Sequence, residues 1–254
     1  MPDPALRVAL ARDGVFNARD LGGTPVAGGR WIRRGAVVRA DALHRCGPAS
    51  ARALHDHGVR RVLDLRDDDE REHEGVFEAP GVEVLHLPVL DPAYVWDTED
   101  LAPRDVLPHR YAEILTSFAS RFTAALDAIA TAPGGVAYHC AVGKDRTGLL
   151  TALLLGSLGS PRDVIVADYA RSARAVAVQV NWLWVQGLPA GRVSETEMAE
   201  GVWSARPATM VATLDLLERE HGGVTGYLRD AGLADAVVDE LRVRLTTAEP
   251  PAAE

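Results

Sequence analysis

The chain has 254 residues, of which 47% are hydrophobic and 25% charged, enough for one enzyme-sized α/β domain with a full core. A net charge of −9 excludes general affinity for nucleic acid or anionic membranes. Two cysteines, Cys46 and Cys140, exclude a disulfide framework, and no run reaches the roughly 20 apolar residues of a membrane span.

The N-terminal stretch carries Asp3 and Asp13 and lacks an apolar signal-peptide core, which points to the cytoplasm. Trp31-Ile32 and Ala36–Arg39 read as strands around an Arg33-Arg34-Gly35 turn. Pro48–His57 reads as a helix stopped by Gly58. Val62–Leu65 and Val82–Leu87 are β-rich runs, and Asp64, inside the first, is expected to brace Arg66 or a loop elsewhere. Arg66–Glu74, nearly all charged, reads as a solvated loop and helix start. Leu85–Asp91 is an apolar strand with a proline turn that ends in a carboxylate, and Asp91 before Pro92 has the chemistry of a helix N-cap.

Residues 92–118 look like an insertion. They carry Tyr94, Trp96, Leu101, Leu107, Tyr111 and Ile114, interrupted by Pro103 and Pro108. In Arg121–Ala130, Phe122, Ala125, Leu126 and Ile129 share one helix face. Pro133-Gly134-Gly135 returns the chain to a strand, Val136-Ala137-Tyr138. Beyond residue 148 the pattern is helical: Leu149–Leu158, a capping-box-like start at Ser160-Pro161-Arg162-Asp163, and Ala208–Glu220 capped by Gly222-Gly223. Arg171 and Arg174 read as surface ion-pairing residues, and Trp182 and Trp184 as buried packing. Residues 249–254 read as a frayed tail after a single domain over 1–248. Alternating helices and β-runs argue a central, mostly parallel sheet flanked by helices, with a helical C-terminal half. The histidines are scattered, and His55 and His57 do not share a helix face, so no metal or other cofactor is expected.

Residues 139–148 carry the chemistry: His139-Cys140-Ala141-Val142-Gly143-Lys144-Asp145-Arg146-Thr147-Gly148. The order is strand, tight loop, helix N-terminus, with a thiol at the loop entrance. A helix N-terminus and the N–H groups of a turning loop bind anions. The thiolate is the attacking form of cysteine, and such surroundings favour it. Arg146 supplies a planar fork that matches two phosphate oxygens. Ala141, Val142, Gly143 and Thr147 would line the anion site, with Thr147 placed to hydrogen-bond the sulfur. His139 is expected to fix the loop backbone. Lys144 would add a second cation facing the ligand, and its bland alternative is a solvated rim side chain. Asp145 could serve as acid or base, orient water, or pair with a neighbouring cation. A Walker A reading fails, because Asp145 follows Gly143-Lys144 and Tyr138 stands where the first glycine is needed. A non-catalytic phosphate- or phosphoinositide-binding module is the alternative from another functional class.

This loop resembles that of the Cys-x5-Arg phosphatases. Its Gly-Lys-Asp-Arg-Thr-Gly ending resembles the bacterial tyrosine and dual-specificity phosphatases typified by the mycobacterial tyrosine phosphatase B. Further blocks are similar in order: Phe16–Gly23, Arg39–Leu43, Val62–Arg66, Asp163–Tyr169 and Gly226–Gly232. In Phe16–Gly23, Ala18 stands where an aromatic residue is commoner. The resemblance implies a protein-tyrosine-phosphatase-like fold and a phosphomonoester hydrolase acting through a phosphocysteine. It implies phosphotyrosine as the substrate, with phosphoserine, phosphothreonine and phosphoinositides also accepted. It points to Asp91 as a general acid in the strand-to-loop position, with Asp145 the rival. Asp91 lies 49 residues before Cys140, a departure from the spacing in small dual-specificity enzymes. The resemblance further implies helical segments in 92–118 acting as a lid, and it leaves export without a standard signal open. Cys46 reads as a bystander thiol rather than a partner of Cys140.

Overall fold

The computed structural model describes residues 4–91, 93, 94, 101–185 and 194–250; Trp96, Gln186, Gly187 and the end of the tail lie outside them. The order is α1 (Pro4–Arg12), β1 (Arg19–Asp20), β2 (Pro25–Val26), β3 (Arg30–Ile32), β4 (Val37–Asp41), α2 (Pro48–Asp56), β5 (Val59–Asp64), α3 (Asp68–Glu74), β6 (Glu83–His86), α4 (Pro103–Ser117), α5 (Ala119–Ala130) and β7 (Gly135–Cys140). It continues with α6 (Asp145–Ser157), α7 (Arg162–Ala170), α8 (Ser172–Val185), α9 (Glu195–Ala199), α10 (Pro207–His221), α11 (Val224–Asp230), α12 (Asp235–Leu245) and β8 (Thr246–Thr247).

The central sheet runs β1-β4-β7-β5-β6. Its last four strands are parallel, and β1 closes one edge antiparallel to β4. Side chains alternate across it, as the period of two requires. Val37, Leu63, Val136 and Tyr138 face a larger core with Phe122, Leu126 and Ile129 of α5, Leu150 and Leu153 of α6, and Met210 and Leu217 of α10. Val38, Ala40, Val62 and Ala137 face a smaller core with Leu6 and Leu10 of α1, Leu54 of α2, and Phe77. Both faces are thus covered, the mostly parallel α/β architecture expected from the alternating pattern. No helix among the described residues is long and apolar enough to cross a membrane.

Strands do flank the Arg33-Arg34-Gly35 turn as expected, but in different sheets: β3 pairs with β2 and β8 in a separate small sheet, while β4 pairs with β1 and β7. Two other local expectations, at Ser160 and at the prolines of 103–117, are corrected. Gly35 has φ +73° and its N–H donates to the Asp20 carboxylate at 2.8 Å, which turns the chain from one sheet into the other. Ser160 does not cap α7; its hydroxyl donates to the carbonyl of Pro25, and α7 starts on the carbonyl of Pro161. Pro103 and Pro108 do not break the 103–117 segment. Pro103 sits in the first turn of α4 and Pro108 inside it, next to an exposed turn where water can serve the carbonyl that Pro108 leaves unpaired. The opposite face of α4 buries Leu107, Tyr111, Ile114 and Leu115 in the larger core. The end of α10 is as expected, with Gly222 left-handed (φ +70°) and the N–H groups of Gly222 and Gly223 closing on Glu218 and Leu217.

The register aligns the strand ends that matter. Asp41 of β4 is opposite Cys140 of β7, Asp64 of β5 is opposite His139, and His86 of β6 is opposite Asp64. Chemistry-bearing residues therefore converge at the carboxyl edge of the parallel sheet, the usual ligand position in such folds.

Candidate active site

Loop 141–144 leaves β7 at Cys140 and enters α6 at Asp145. Its carbonyls are held away from the loop's concave side, one after another. Ala42 N–H donates to the Cys140 carbonyl at 2.9 Å. Gln179 Nε2 donates to Ala141 O at 3.1 Å. Asn17 Nδ2 donates to Val142 O at 3.1 Å and to Gly143 O at 3.0 Å. Arg39 Nη2 donates to Gly143 O at 2.7 Å. With the carbonyls turned into the protein, the opposing N–H groups form the nest of donors that an oxyanion needs. Gly143 makes the turn possible, at φ +68°. A Cβ there would lie 2.6 Å from Ala40 O and 2.7 Å from Asp41 N, so the loop packs on β4 only with glycine.

Cys140 is buried, and its Sγ accepts two hydrogen bonds at 3.2 Å, from Gly143 N–H and from the Thr147 hydroxyl. Both donors point at the sulfur that would attack. Behind it, His139 is fully buried, with Nδ1 3.4 Å from Cys140 O and Nε2 3.7 Å from Asp64 Oδ1. Burial pushes the His139 imidazolium down to about 4, so this ring is neutral near pH 7.

The surrounding shell explains why distant sequence blocks accompany the loop. Arg19 Nε and Arg39 Nη1 both bind the Asp168 carboxylate, at 2.7 and 2.6 Å. Burial alone would raise that carboxyl, but the two guanidiniums hold it well below the usual range. Arg19 Nη1 donates to Asn17 Oδ1 at 2.7 Å, which fixes the Asn17 amide with its NH2 toward the loop carbonyls. Asp41 accepts the N–H groups of Phe16 and Asn17, at 3.1 and 2.8 Å.

Arg146 forms a two-pronged ion pair with Glu70: Nη2 to Oε1 at 2.7 Å, and Nη1 to Oε2. Burial opposes the Arg146 charge, but the Glu70 bonds raise its affinity for the proton; Glu70 is correspondingly held below the usual carboxylate range. Glu70 is the third residue of α3. It completes a capping box there, accepting Asp67 N–H while Asp67 accepts Glu70 N–H. Arg66, fully buried, clamps Asp64 with Nε and Nη2 (3.0 and 2.8 Å) and reaches Glu74 and the Gly75 carbonyl at the far end of α3. The 66–74 segment is the largely solvent-exposed loop and helix start expected, with Asp68, Asp69, Glu72, His73 and Glu74 exposed, but Arg66 and Glu70 turn inward and support the site; Asp64 braces Arg66, as anticipated.

Lys144 also departs from expectation, whereas Asp145 pairs with a neighbouring cation, one of the roles open to it from sequence. Lys144 is 1% exposed, so it is not a solvated rim residue. Its Nζ is aimed at the carbonyls of Val202 and Ser204 (2.7 and 3.0 Å) and at Asp145 Oδ1 (2.9 Å). Asp145 Oδ1 also accepts the Tyr111 hydroxyl at 2.6 Å, and Tyr111 OH lies 2.9 Å from Tyr169 OH. Asp91 is exposed and folds into a turn, its Oδ1 accepting Ala93 N–H at 2.9 Å. The described helix that follows starts only at Pro103, so Asp91 is not a helix N-cap. Trp182 packs edge-on to Phe16 with Arg45 over its ring at 5.0 Å, whereas Trp184 is 54% exposed and is not buried packing. Cys46 is largely buried, and burial pushes its thiol up to about 12, in keeping with a bystander. Among the described residues no three His, Cys, Asp or Glu side chains group to hold a metal.

Sequence reasoning missed Glu70, Tyr111, Asn17, Arg39, Asp168 and Gln179 as parts of this site. The resemblance blocks contained three of them, Asn17, Arg39 and Asp168, without a role.

Comparison with known proteins points the same way. The sequence model of the tyrosine phosphatase family matches residues 10–247. The triple specificity protein phosphatase PtpB of Mycobacterium tuberculosis is 29% identical over 269 residues, covering 90% of this chain and 96% of the relative. A protein of Cupriavidus necator named for tyrosine-protein phosphatase activity is 31% identical over 231 residues, covering 87% and 83%. The crystal structure of TpbA from P. aeruginosa aligns over 88% of this chain and 95% of its own, at 17% identity and a TM-score of 0.31.

Proposed function

The chain belongs to the tyrosine phosphatase family, and from that premise we propose that it hydrolyses phosphotyrosine in proteins through a phosphocysteine formed on Cys140. The observation that carries this reading is the sulfur of Cys140, which accepts from Gly143 N–H and Thr147 Oγ1 at the floor of a loop whose carbonyls all turn away. In the first step Sγ attacks phosphorus, the S–P bond forms and the P–O bond to the leaving group breaks. The loop N–H groups and Arg146 hold the three remaining oxygens, where charge is spread in the transition state. Arg146 must share its fork between Glu70 and the phosphoryl group; its Nε and the outer Nη hydrogens serve the second partner. The leaving oxygen takes a proton from the Asp145 carboxyl. In the second step water attacks phosphorus, gives its proton to Asp145, and the S–P bond breaks. The Thr147 hydroxyl stabilises the departing thiolate, and inorganic phosphate leaves.

Asp145 suits the proton role better than Asp91 because it stands beside Arg146 at the start of α6, a third exposed, accepting the Tyr111 hydroxyl and ion-paired with Lys144. PtpB is named for triple specificity, so phosphoserine, phosphothreonine and phosphoinositides belong in the substrate panel with phosphotyrosine. The Lys144 ammonium, engaged by two carbonyls and Asp145, gives no independent support to a polyphosphorylated lipid.

The test is hydrolysis of an aryl phosphate in the presence of chelator. Cys140→Ser is expected to lose activity by about 10,000-fold or more while still binding phosphate. Equal activity in wild type and variant would refute the phosphocysteine, and a wild type that binds phosphate without turnover would make the protein a binding module.

A further inference from the structure

The structure assigns Tyr111, a core residue of α4, as the positioning residue that fixes which oxygen of Asp145 carries the proton. This inference rests on Asp145 serving as proton donor and acceptor in the reaction proposed above. Tyr111 is 0% exposed, and its hydroxyl reaches out of the core to Asp145 Oδ1 at 2.6 Å. Lys144 Nζ reaches the same oxygen at 2.9 Å. Among the described residues the Tyr111 hydroxyl and the Lys144 ammonium both meet this carboxylate at Oδ1, and the group is one-third exposed. Oδ2 is therefore the oxygen placed to hold or take a proton.

The direction of the hydrogen bonds follows from donor counts. A carboxylate can only accept, so the single Tyr111 hydrogen points to Oδ1. The Tyr111 oxygen then accepts from Tyr169 OH, 2.9 Å away. A two-hydroxyl relay thus ends on Oδ1, and it stays intact when Oδ2 is protonated, because Oδ1 is then a carbonyl-type acceptor. The relay is rigid at its far end: Tyr169 is 1% exposed and lies against Gly148, where an added Cβ would sit 3.1 Å from the ring. Lys144 locks the other side through Val202 O and Ser204 O. A bare packing role for Tyr111 needs only its ring; here Tyr169 serves the hydroxyl's lone pair and its single hydrogen is directed at a partly exposed carboxylate.

A positioning role predicts a leaving-group signature. Proton donation matters most when the leaving oxygen is basic and little when it is not. In Tyr111→Phe, kcat for phenyl phosphate is expected to fall roughly tenfold and kcat for 4-nitrophenyl phosphate less than about twofold. In an Asp145→Asn background the same substitution is expected to cost nothing further, because its effect passes through Asp145. Tyr169→Phe, which removes only the rear donor, is expected to show the same pattern more weakly. Equal losses on both substrates, or losses that multiply with Asp145→Asn, would overturn the assignment. So would an Asp145→Asn enzyme with the wild-type ratio of the two rates, with phosphatase activity itself intact. A wild type inactive on both substrates would instead remove the phosphatase reading, and this inference with it.

Discussion

Glu70 has one carboxylate and two tasks: Oε2 closes the capping box of α3 by accepting Asp67 N–H, and both oxygens engage Arg146. A phosphate must therefore share or displace this partner. Glu70→Gln is expected to destabilise the free protein by about 1–3 kcal/mol, because a buried guanidinium loses its counter-charge. The same variant should bind inorganic phosphate more tightly, so the rise in Tm on adding phosphate should exceed that of wild type. Thermal melts with and without phosphate check this; an unchanged or smaller phosphate-induced rise would show that Glu70 does not compete for the clamp. At this scale the sequence was legible where the chemistry is local. Cys140, Gly143, Arg146 and Thr147 lie within eight positions, and strand-loop-helix order dictates their roles. Glu70 and Arg146 are 76 positions apart, and nothing in an acidic run marks which carboxylate turns inward. The burial of Lys144 was equally hidden, because the carbonyls that hold it belong to residues 58 and 60 positions further on.

Among the elements, β4, β5, β7 and α6 were readable from alternation and from the turn residues around them, and the glycine stop of α10 from its cap. The misreadings have physical causes. Charge density marked α3 as solvated, which most of it is, but hid the inward reach of Arg66 before it and Arg71 within it to the buried Asp64. Two prolines made 103–117 look broken, yet one opens α4 and the other lies within it beside an exposed turn. The buried face of α4 argues against a swinging cover over these residues. Ile114 is 3% exposed in the larger core, and α4 packs on α10 and α5. Ile114→Ala is expected to cost about 2–5 kcal/mol, read by denaturant titration. A cover that spends time open would give a near-neutral variant with faster substrate access instead.

Across the whole molecule, the site is built where two cores meet, and its support comes from segments spread from Asn17 to Ser204. That concentration of buried titratable groups makes stability depend on pH. Burial pushes His139 down to about 4 and, with Arg66 beside it, His44 down to about 3, against a usual 6.5. In the unfolded chain both would charge near pH 6.5; in the folded protein they stay neutral. The unfolded state then binds more protons, so the stability present above pH 6.5 is lost as the pH falls toward 4. His139 alone contributes on the order of 3 kcal/mol to that loss. Asp41 opposes it. Burial raises its carboxyl from 3.8 to about 6, so between those values the folded state holds the extra proton and stability falls as the pH rises. Two histidines outweigh one carboxyl, and from pH 6.5 to 6 only the histidines act. Below about 4 the carboxylates of Asp168, Asp64 and Glu70, all held low by their arginines, must protonate, and the loss steepens. Tm measured from pH 8 to 3 is expected to be level above 6.5, to decline gently to 4 and to drop sharply beneath it. In His44→Asn the gentle decline should shrink while the sharp drop stays; a decline of unchanged slope would mean that the buried histidines do not drive it.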